Sequence, residues 1–410
     1  MKGRVLMVTS VFPRFAGDAT PAFVQSQALA LAAVGWKVTV LAPHGTGARF
    51  REWIPVCSGE ASSGIEVIRF PYAWPFGLQK LCYDGGMLVN FRTRPWTKAL
   101  LPLFIAAQFL VLLWLTLRCR PQILHSHSLL PQGFTAGLVA MVTHTPHITT
   151  SHGNDVFGLR PDGLMGRLKR WVLGQADAVT VNSSATEAAV RDLLGGDPAK
   201  VHRVPATPNA HPADPDRVAE IRARHVGAAR PVILFAGRMI ADKGVGDLID
   251  ALAHLRSDFP DLRALFIGDG QDRAVFETQV QRLGLEDRVC WAGWVPPETI
   301  TSWMAAGDVF VLPSKVFEAQ GLVLVEAMLT GVPIVASRIG GIPDMIEDKV
   351  TGRLVPPGNC TALAATLTEV LRNPATRSRL AANARERAQS SFSPAAVTAA
   401  TEAVYRAIAP

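Results

Sequence analysis

Two carboxylates, Glu318 and Glu326, bracket a glycine and an apolar run in "EAQGLVLVEAM" (residues 318–328). Leu322 to Met328 has the composition of a buried helix, so the backbone N–H groups of Gly321, Leu322 and Val323 are its open first-turn donors. Eight residues of helix rise roughly 12 Å, the span of a sugar, a diphosphate and a ribose. A carboxylate at each end can accept hydrogen bonds from hydroxyls at both ends of such a ligand. Glu326 lies inside the apolar run and needs a partner there, because an unpaired buried carboxylate is costly; diol hydroxyls suit it, and a basic side chain is the structural alternative. In "FAGRMIADKG" (235–244), Arg238 follows a strand end and Lys243 precedes the next helix. Two cations at a helix N-terminus make an anion site, Arg gripping a phosphate with two hydrogen bonds and Lys adding a point charge. The alternative is two ordinary surface cations. His152 in "SHGND" (151–155) stands at another strand end, beside a glycine that leaves the backbone open to close approach; the alternative is a structural, hydrogen-bonded histidine. His125 and His127 in "HSH" are read as pointing to opposite faces of a strand, which speaks against a shared metal, and no metal site is expected.

These residues need strand ends and helix starts to hold them, and the chain supplies both twice. "RVLMVTS" (4–10), "AFVQSQALALAAVG" (22–35) and "KVTVLAP" (37–43) read as strand, helix and strand, a βαβ unit. "PQILHSH" (121–127), "HITTSHG" (147–153) and "DAVTVNS" (177–183) are further short strands ending in polar residues. The second half repeats the grammar in "RPVILFAGR" (230–238), "RALFIGDG" (263–270), "VCWAGW" (289–294), "VFVLPS" (309–314) and "PIVAS" (333–337). The expected fold is α/β: two Rossmann-like, doubly wound domains facing each other across a cleft. The proline-rich "PATPNAHPADPD" (205–216) is the linker candidate. It divides an N-terminal domain (1–208) from a C-terminal one (209–393), and the last helix (394–410) is expected to cross back to the first. "IGDG" (267–270) lacks the full dinucleotide fingerprint, and "AGDA" (16–19) has one glycine where two would make a stronger phosphate loop.

At 410 residues the chain is long for one core. Five cysteines (Cys57, Cys82, Cys119, Cys290, Cys360) never form a CxxC pair, which fits reduced thiols in a cytosolic protein. "MKGRVLMVTS" lacks a long apolar region, and no signal peptide is expected. Residues 1–208 hold 20 Lys+Arg against 11 Asp+Glu, while residues 209–410 hold 21 against 23. The basic surplus of the first half points to an anionic partner. Residues 99–117, "ALLPLFIAAQFLVLLWLTL", barely reach membrane-spanning length, and a spanning helix there would cut the first sheet apart. They read as a buried or membrane-lying helix. Arg49, Phe50, Arg51, Trp53, Phe70, Tyr72, Trp74, Phe76, Arg92, Arg94, Trp96 and Lys98 precede it, a mixture that suits an anionic lipid interface; the alternative is that the aromatics fill the core. No groove-reading or stacking module accompanies the basic charge, so a nucleic acid is not the expected partner.

"FAGRMIADKG", "PSKVFEAQGLVLVEAMLTGVPIVAS", "GIPDMIEDKVTGRLVPPGN" and "SHGNDV" together resemble the retaining glycosyltransferases of family 4, which have the GT-B fold. The resemblance spans nearly the whole chain. It implies a hexosyltransferase taking a UDP- or GDP-linked sugar, without cofactor or metal, to a saccharide or lipid-linked acceptor in cell-envelope or exopolysaccharide assembly. It implies that Arg238 and Lys243 take the diphosphate, Glu326 the ribose hydroxyls and Glu318 the donor sugar, with Gly321, Leu322 and Val323 alongside. Gln320, where the family often has an aromatic residue or proline, bears on which sugar is used. The loop around Gly17 would close over phosphates or acceptor, and His152 would help position the sugar. The implied place is the cytoplasm or the inner face of its membrane. A GT-B-fold nucleotide-sugar epimerase or hydrolase, and a basic nucleic-acid-binding protein, are the alternatives.

Overall fold

The computed structural model describes residues 2–56, 63–158, 163–195, 198–208, 211–227 and 230–409. Cys57, and Asn209 and Ala210 of the proline-rich linker, lie outside them. The chain divides into two compact units, Met1–Thr207 with Pro394–Pro410, and Pro208–Ser393.

The first unit is built on eight strands: β1 (Gly3–Val8), β2 (Trp36–Pro43), β3 (Arg51–Pro55), β4 (Gly64–Phe70), β5 (Ile123–His127), β6 (His147–Ser151), β7 (Ala178–Val181) and β8 (Val201–Arg203). Their order in the sheet is β3-β4-β2-β1-β5-β6-β7-β8. Every neighbouring pair is parallel except β3 with β4. Val5 to Val8 are all buried, as are the five residues of β5 and of β6, the continuous run of strands covered on both faces. The order reverses at β1, whose two neighbours, β2 and β5, lead away in opposite directions. The segments leaving β1 and β5 therefore diverge at a switch point, where such sheets bind ligands.

The antiparallel pair β3–β4 falls in the segment that sequence reading treats as an interface mixture. Part of that mixture is core: Phe70 and Tyr72 are buried and pack edge-on against Phe104. Trp53, Trp74, Trp96 and Phe50 stay exposed. The apolar helix Leu101–Cys119 ends at Arg120 in a left-handed turn (φ 45°), just before β5. Phe104, Gln108, Leu112, Leu115 and Thr116 form its buried stripe, while Leu103, Leu110, Trp114 and Leu117 are exposed on the other side.

The second unit carries β9 (Val232–Ala236), β10 (Arg263–Ile267), β11 (Val289–Gly293), β12 (Val309–Leu312), β13 (Ile334–Ser337) and β14 (Arg353–Val355). They are ordered β11-β10-β9-β12-β13-β14 and wholly parallel. Here the switch point lies between β9 and β12.

The helix Pro394–Ile408 belongs to the first unit. Val397, Val404 and Tyr405 enter its core. Glu402 accepts from the Trp36 indole at 2.8 Å and from Lys2 at 2.7 Å, and Gln27 donates to Thr401 at 3.2 Å. Tyr405→Ala should destabilise the first unit by about 3–5 kcal/mol, the scale for truncating a buried aromatic side chain. Scanning calorimetry should show that unit's transition lowered and the second unit's unchanged.

Candidate active site

In the second unit the segments leaving β9 and β12 meet. Ala236 ends β9, and the chain then runs through Gly237 and Arg238 into a single turn, Ala241–Lys243, before the helix Val245–Leu255. The segment is pinned from β10: Met239 N–H donates to Asp269 O at 3.0 Å, Asp272 N–H to Met239 O at 3.1 Å, and Ala241 N–H to the Asp272 carboxylate at 2.8 Å. The "IGDG" segment thus serves as a brace for the Arg238 turn. Arg238 is exposed and makes no ion pair among the described residues. Lys243 is half-buried and donates to Glu318 Oε2 at 2.5 Å, where Ser314 Oγ also donates at 3.1 Å.

Two glycines make this pairing possible. A Cβ on Gly244, which has φ 70°, would stand 1.9 Å from Pro313 O at the end of β12. A Cβ on Gly340 (φ 56°) would stand 2.1 Å from Glu318 O, and Gly341 N–H donates to that same oxygen at 2.8 Å. Gly244 and Gly340 were not anticipated from the sequence, because what they meet is far away in the chain; Ser314 lies only four residues before Glu318, and its bond depends on the turn of the loop between them.

Glu318 is not on the helix. The helix is Leu322–Thr330, capped by Gly321 at φ 83°, and Glu318 lies in the loop from β12. Between Leu322 and Glu326 the helical rise is only about 6 Å, so the expected 12 Å helical ruler does not exist. Glu326 is likewise not inside the core. Leu324, Val325, Ala327 and Met328 are buried, whereas Leu322, Val323 and Glu326, one turn apart, are half-buried on another face. Gln320 is buried just before the helix.

In the first unit, Gly17 (φ 80°) lies in the loop leaving β1, where a Cβ would meet no atom within 4 Å. Asp18 next to it accepts from Arg14 N–H at 2.8 Å and from the Arg14 guanidinium at 2.9 Å. Burial would raise the Asp18 pKa, but the Arg14 hydrogen bonds outweigh it and hold it at about 2. His152 follows β6, half-buried, with its ring 4.7 Å from that of Phe23. His127 Nδ1 lies 3.2 Å from His152 Nε2. The two histidines of "HSH" share one face, contrary to the sequence reading: positions two apart in a strand point the same way, and the rings stack with centroids 4.4 Å apart.

Burial lowers the ring pKa values of His125 and His147 to about 3 and pushes His127 well below the ordinary range. It takes His152 to about 4, against the opposing pull of the Asp155 charge. The unfolded chain protonates these rings near pH 6.5, so between about pH 6.5 and 3 it binds more protons than the folded one. Their contribution is intact above 6.5 and is lost as the pH falls through this window, by up to about 1.4 kcal/mol per pH unit for each ring. Calorimetry from pH 7.5 to 4.5 should show the first unit's melting temperature falling below pH 6.5.

Residues 22–206 match the model of the family described as Glycosyltransferase Family 4, and residues 218–387 that of Glycosyl transferases group 1. The chain is 31% identical over 268 residues to the alpha-D-kanosaminyltransferase of Streptomyces kanamyceticus, covering 65% of this chain and 69% of that relative. The fold is similar to sucrose-phosphate synthase from Thermosynechococcus elongatus (TM-score 0.77, 24% identity, 99% of this chain and 98% of that one). It is also similar to Anabaena HepE in complex with UDP (TM-score 0.70, 20% identity, 99% and 100%).

Proposed function

Because the chain belongs to the family 4 glycosyltransferases, with the GT-B fold, we propose that it is a retaining, metal-independent hexosyltransferase that uses a UDP- or GDP-linked sugar. The observation that carries this reading is the Lys243–Glu318 pair at the switch point of the second sheet, with the N-terminus of Leu322–Thr330 on the same loop. An ammonium has three donors; Glu318 takes one, and the others are left for the diphosphate, which Arg238 also engages. Both recorded bonds to Glu318 go to Oε2, so Oε1 is the oxygen offered to the sugar hydroxyls. Leu322, Val323 and Glu326 share a face, which suits Glu326 to the ribose diol. Gln320, Gly321 and the amides of Leu322 and Val323 line the phosphates and sugar, and His152 and the Gly17 loop are assigned to the sugar and acceptor side.

In the proposed step the anomeric C–O bond to the diphosphate breaks and the acceptor oxygen bonds to the same face of that carbon. The acceptor proton passes to the departing phosphate. Fixed cations and amide dipoles stabilise the charge that develops on the diphosphate, each worth on the order of 3 kcal/mol when lost singly. Lys243→Ala should therefore lower kcat by about 10²–10³-fold without unfolding the chain, and Glu326→Ala should abolish transfer. Near-normal turnover by folded Lys243→Ala would exclude this donor site. A thermal-shift panel of UDP-, GDP- and ADP-sugars should show stabilisation by one base, and a transferred sugar with retained anomeric configuration separates transfer from epimerisation and hydrolysis.

The acceptor is proposed to be a saccharide or lipid-linked saccharide of envelope or exopolysaccharide assembly, met at the cytoplasmic face of the membrane. The support is the exposed apolar face of Leu101–Cys119, where Leu103, Leu110, Trp114 and Leu117 recur at helical spacing. Arg118 lies over the Trp114 ring at 5.5 Å, and Arg92 and Lys98 are exposed just ahead. Such a face fits the boundary of an anionic bilayer. The protein should co-sediment with phosphatidylglycerol vesicles in a salt-sensitive way and not with phosphatidylcholine vesicles. The Leu110→Glu/Trp114→Glu double variant should lose that binding while still transferring to a soluble acceptor.

A further inference from the structure

His127 has no assigned task, yet its ring is held directly against His152. It is the last residue of β5 and is buried. Its Nδ1 is 3.2 Å from His152 Nε2, and the two rings are within 8° of parallel, an alignment that allows an N–H···N hydrogen bond in the ring plane. Its other nitrogen, Nε2, is buried without a hydrogen-bond partner among the described residues. The ring cannot readily turn away from this arrangement. It stacks on His125, whose own two nitrogens are taken by the Tyr405 hydroxyl at 2.7 Å and Thr150 Oγ1 at 2.6 Å.

One proton serves the His127–His152 contact, and its two placements differ in consequence. If His152 Nε2–H donates, His127 must carry its own proton on Nε2, leaving a buried N–H unpaired. Such a donor costs about 1–3 kcal/mol and is rarer in folded proteins than an unpaired acceptor. If His127 Nδ1–H donates, the unpartnered Nε2 holds only a lone pair. We propose that His127 is a positioning residue: it donates from Nδ1 to His152 Nε2 and thereby holds His152 as the Nδ1–H tautomer. Burial keeps both rings neutral at neutral pH, so one proton per ring is available to be placed. Among the described residues His152 Nδ1 makes no hydrogen bond, and its proton is then the single polar hydrogen the ring offers a substrate hydroxyl. The tautomer of an imidazole is set by what its other nitrogen bonds. The link to catalysis rests on the assignment of His152 to the transferred sugar; the tautomer itself does not.

The full chain labelled with ¹⁵N-histidine, observed at pH 7.5 by long-range ¹H–¹⁵N correlation, reads the tautomer directly, with His152→Ala used to assign the signals. Protonated Nδ1 and bare Nε2 on His152, changing to Nε2–H in His127→Phe, is the expected result. Nε2–H on His152 in the unaltered protein overturns the proposal, as does an unchanged tautomer in His127→Phe. In turnover, His127→Phe should lower kcat by about 10–100-fold, the scale for losing the partner that orients a functional imidazole. His127→Asn, whose amide stands near the Nδ1 position, should recover most of it with KM little changed. Equal loss of kcat in both variants, with both folded, assigns His127 to packing and overturns the orienting role. If the tautomer is as proposed and His152→Ala turns over normally, the assignment of His152 to the sugar fails and the orientation by His127 stands.

Discussion

Lys243 and Glu318 are brought together by the adjacency of β9 and β12, two strands that are distant in sequence and neighbours in the sheet. Parallel pairing puts the carboxyl ends of both strands on one edge, and the reversal of strand order at this point lets their loops meet. The ion pair depends on close backbone approach at Gly244 and Gly340, where a side chain would collide with Pro313 and Glu318. The ammonium meets the carboxylate of Glu318, and the helix that carries Leu322, Val323 and Glu326 begins four residues further along the same loop.

The first unit solves a different problem. Four histidines lie in or beside β5 and β6 in a sheet with little room for charge, and burial keeps them uncharged at neutral pH. Tyr405 from the last helix and Thr150 hold the His125 ring by hydrogen bonds, His127 stacks on that ring, and His127 is in turn hydrogen-bonded to His152. The helix Pro394–Ile408 therefore does more than cover apolar surface. It fixes the ring on which His127 stacks, and so ties the end of the chain to the residue assigned to the sugar.

The helix Leu101–Cys119 shows the two demands on one apolar segment. Phe104, Gln108, Leu112 and Leu115 face the core at a spacing of about one turn, and Gln108 donates to Thr135 at 2.5 Å within it. Leu103, Leu110, Trp114 and Leu117 fall on the opposite side for the same periodic reason. Burying only one side of a helix that is apolar all round leaves a face whose exposure to water is unfavourable. The aromatic and basic residues before it divide in the same way, with Phe70 and Tyr72 inside and Trp74 and Trp96 outside.

The class of fold, and the segments to which the proposed chemistry is assigned, were legible in the order of amino acids alone. Short apolar runs ending in glycine or polar residues locate β1, β5, β6, β9 and β12, because strands buried on both faces must be apolar along their length. The motifs at their ends mark Arg238, Lys243, Glu318, Glu326 and His152. What those residues touch was settled only by the packing of strands and loops in space. Glu318 proved to be a loop residue paired with Lys243, and Glu326 a half-buried residue on the face of its helix away from the core, since a run of apolar letters does not say which side of a helix is covered. The edge pair β3–β4 was hidden by mixed aromatic and basic residues that also suit an interface. His127 and Gly340 were invisible for a simpler reason: a residue's role in holding another depends on distance in space, and their partners, His152 and Glu318, are 25 and 22 positions away in the chain.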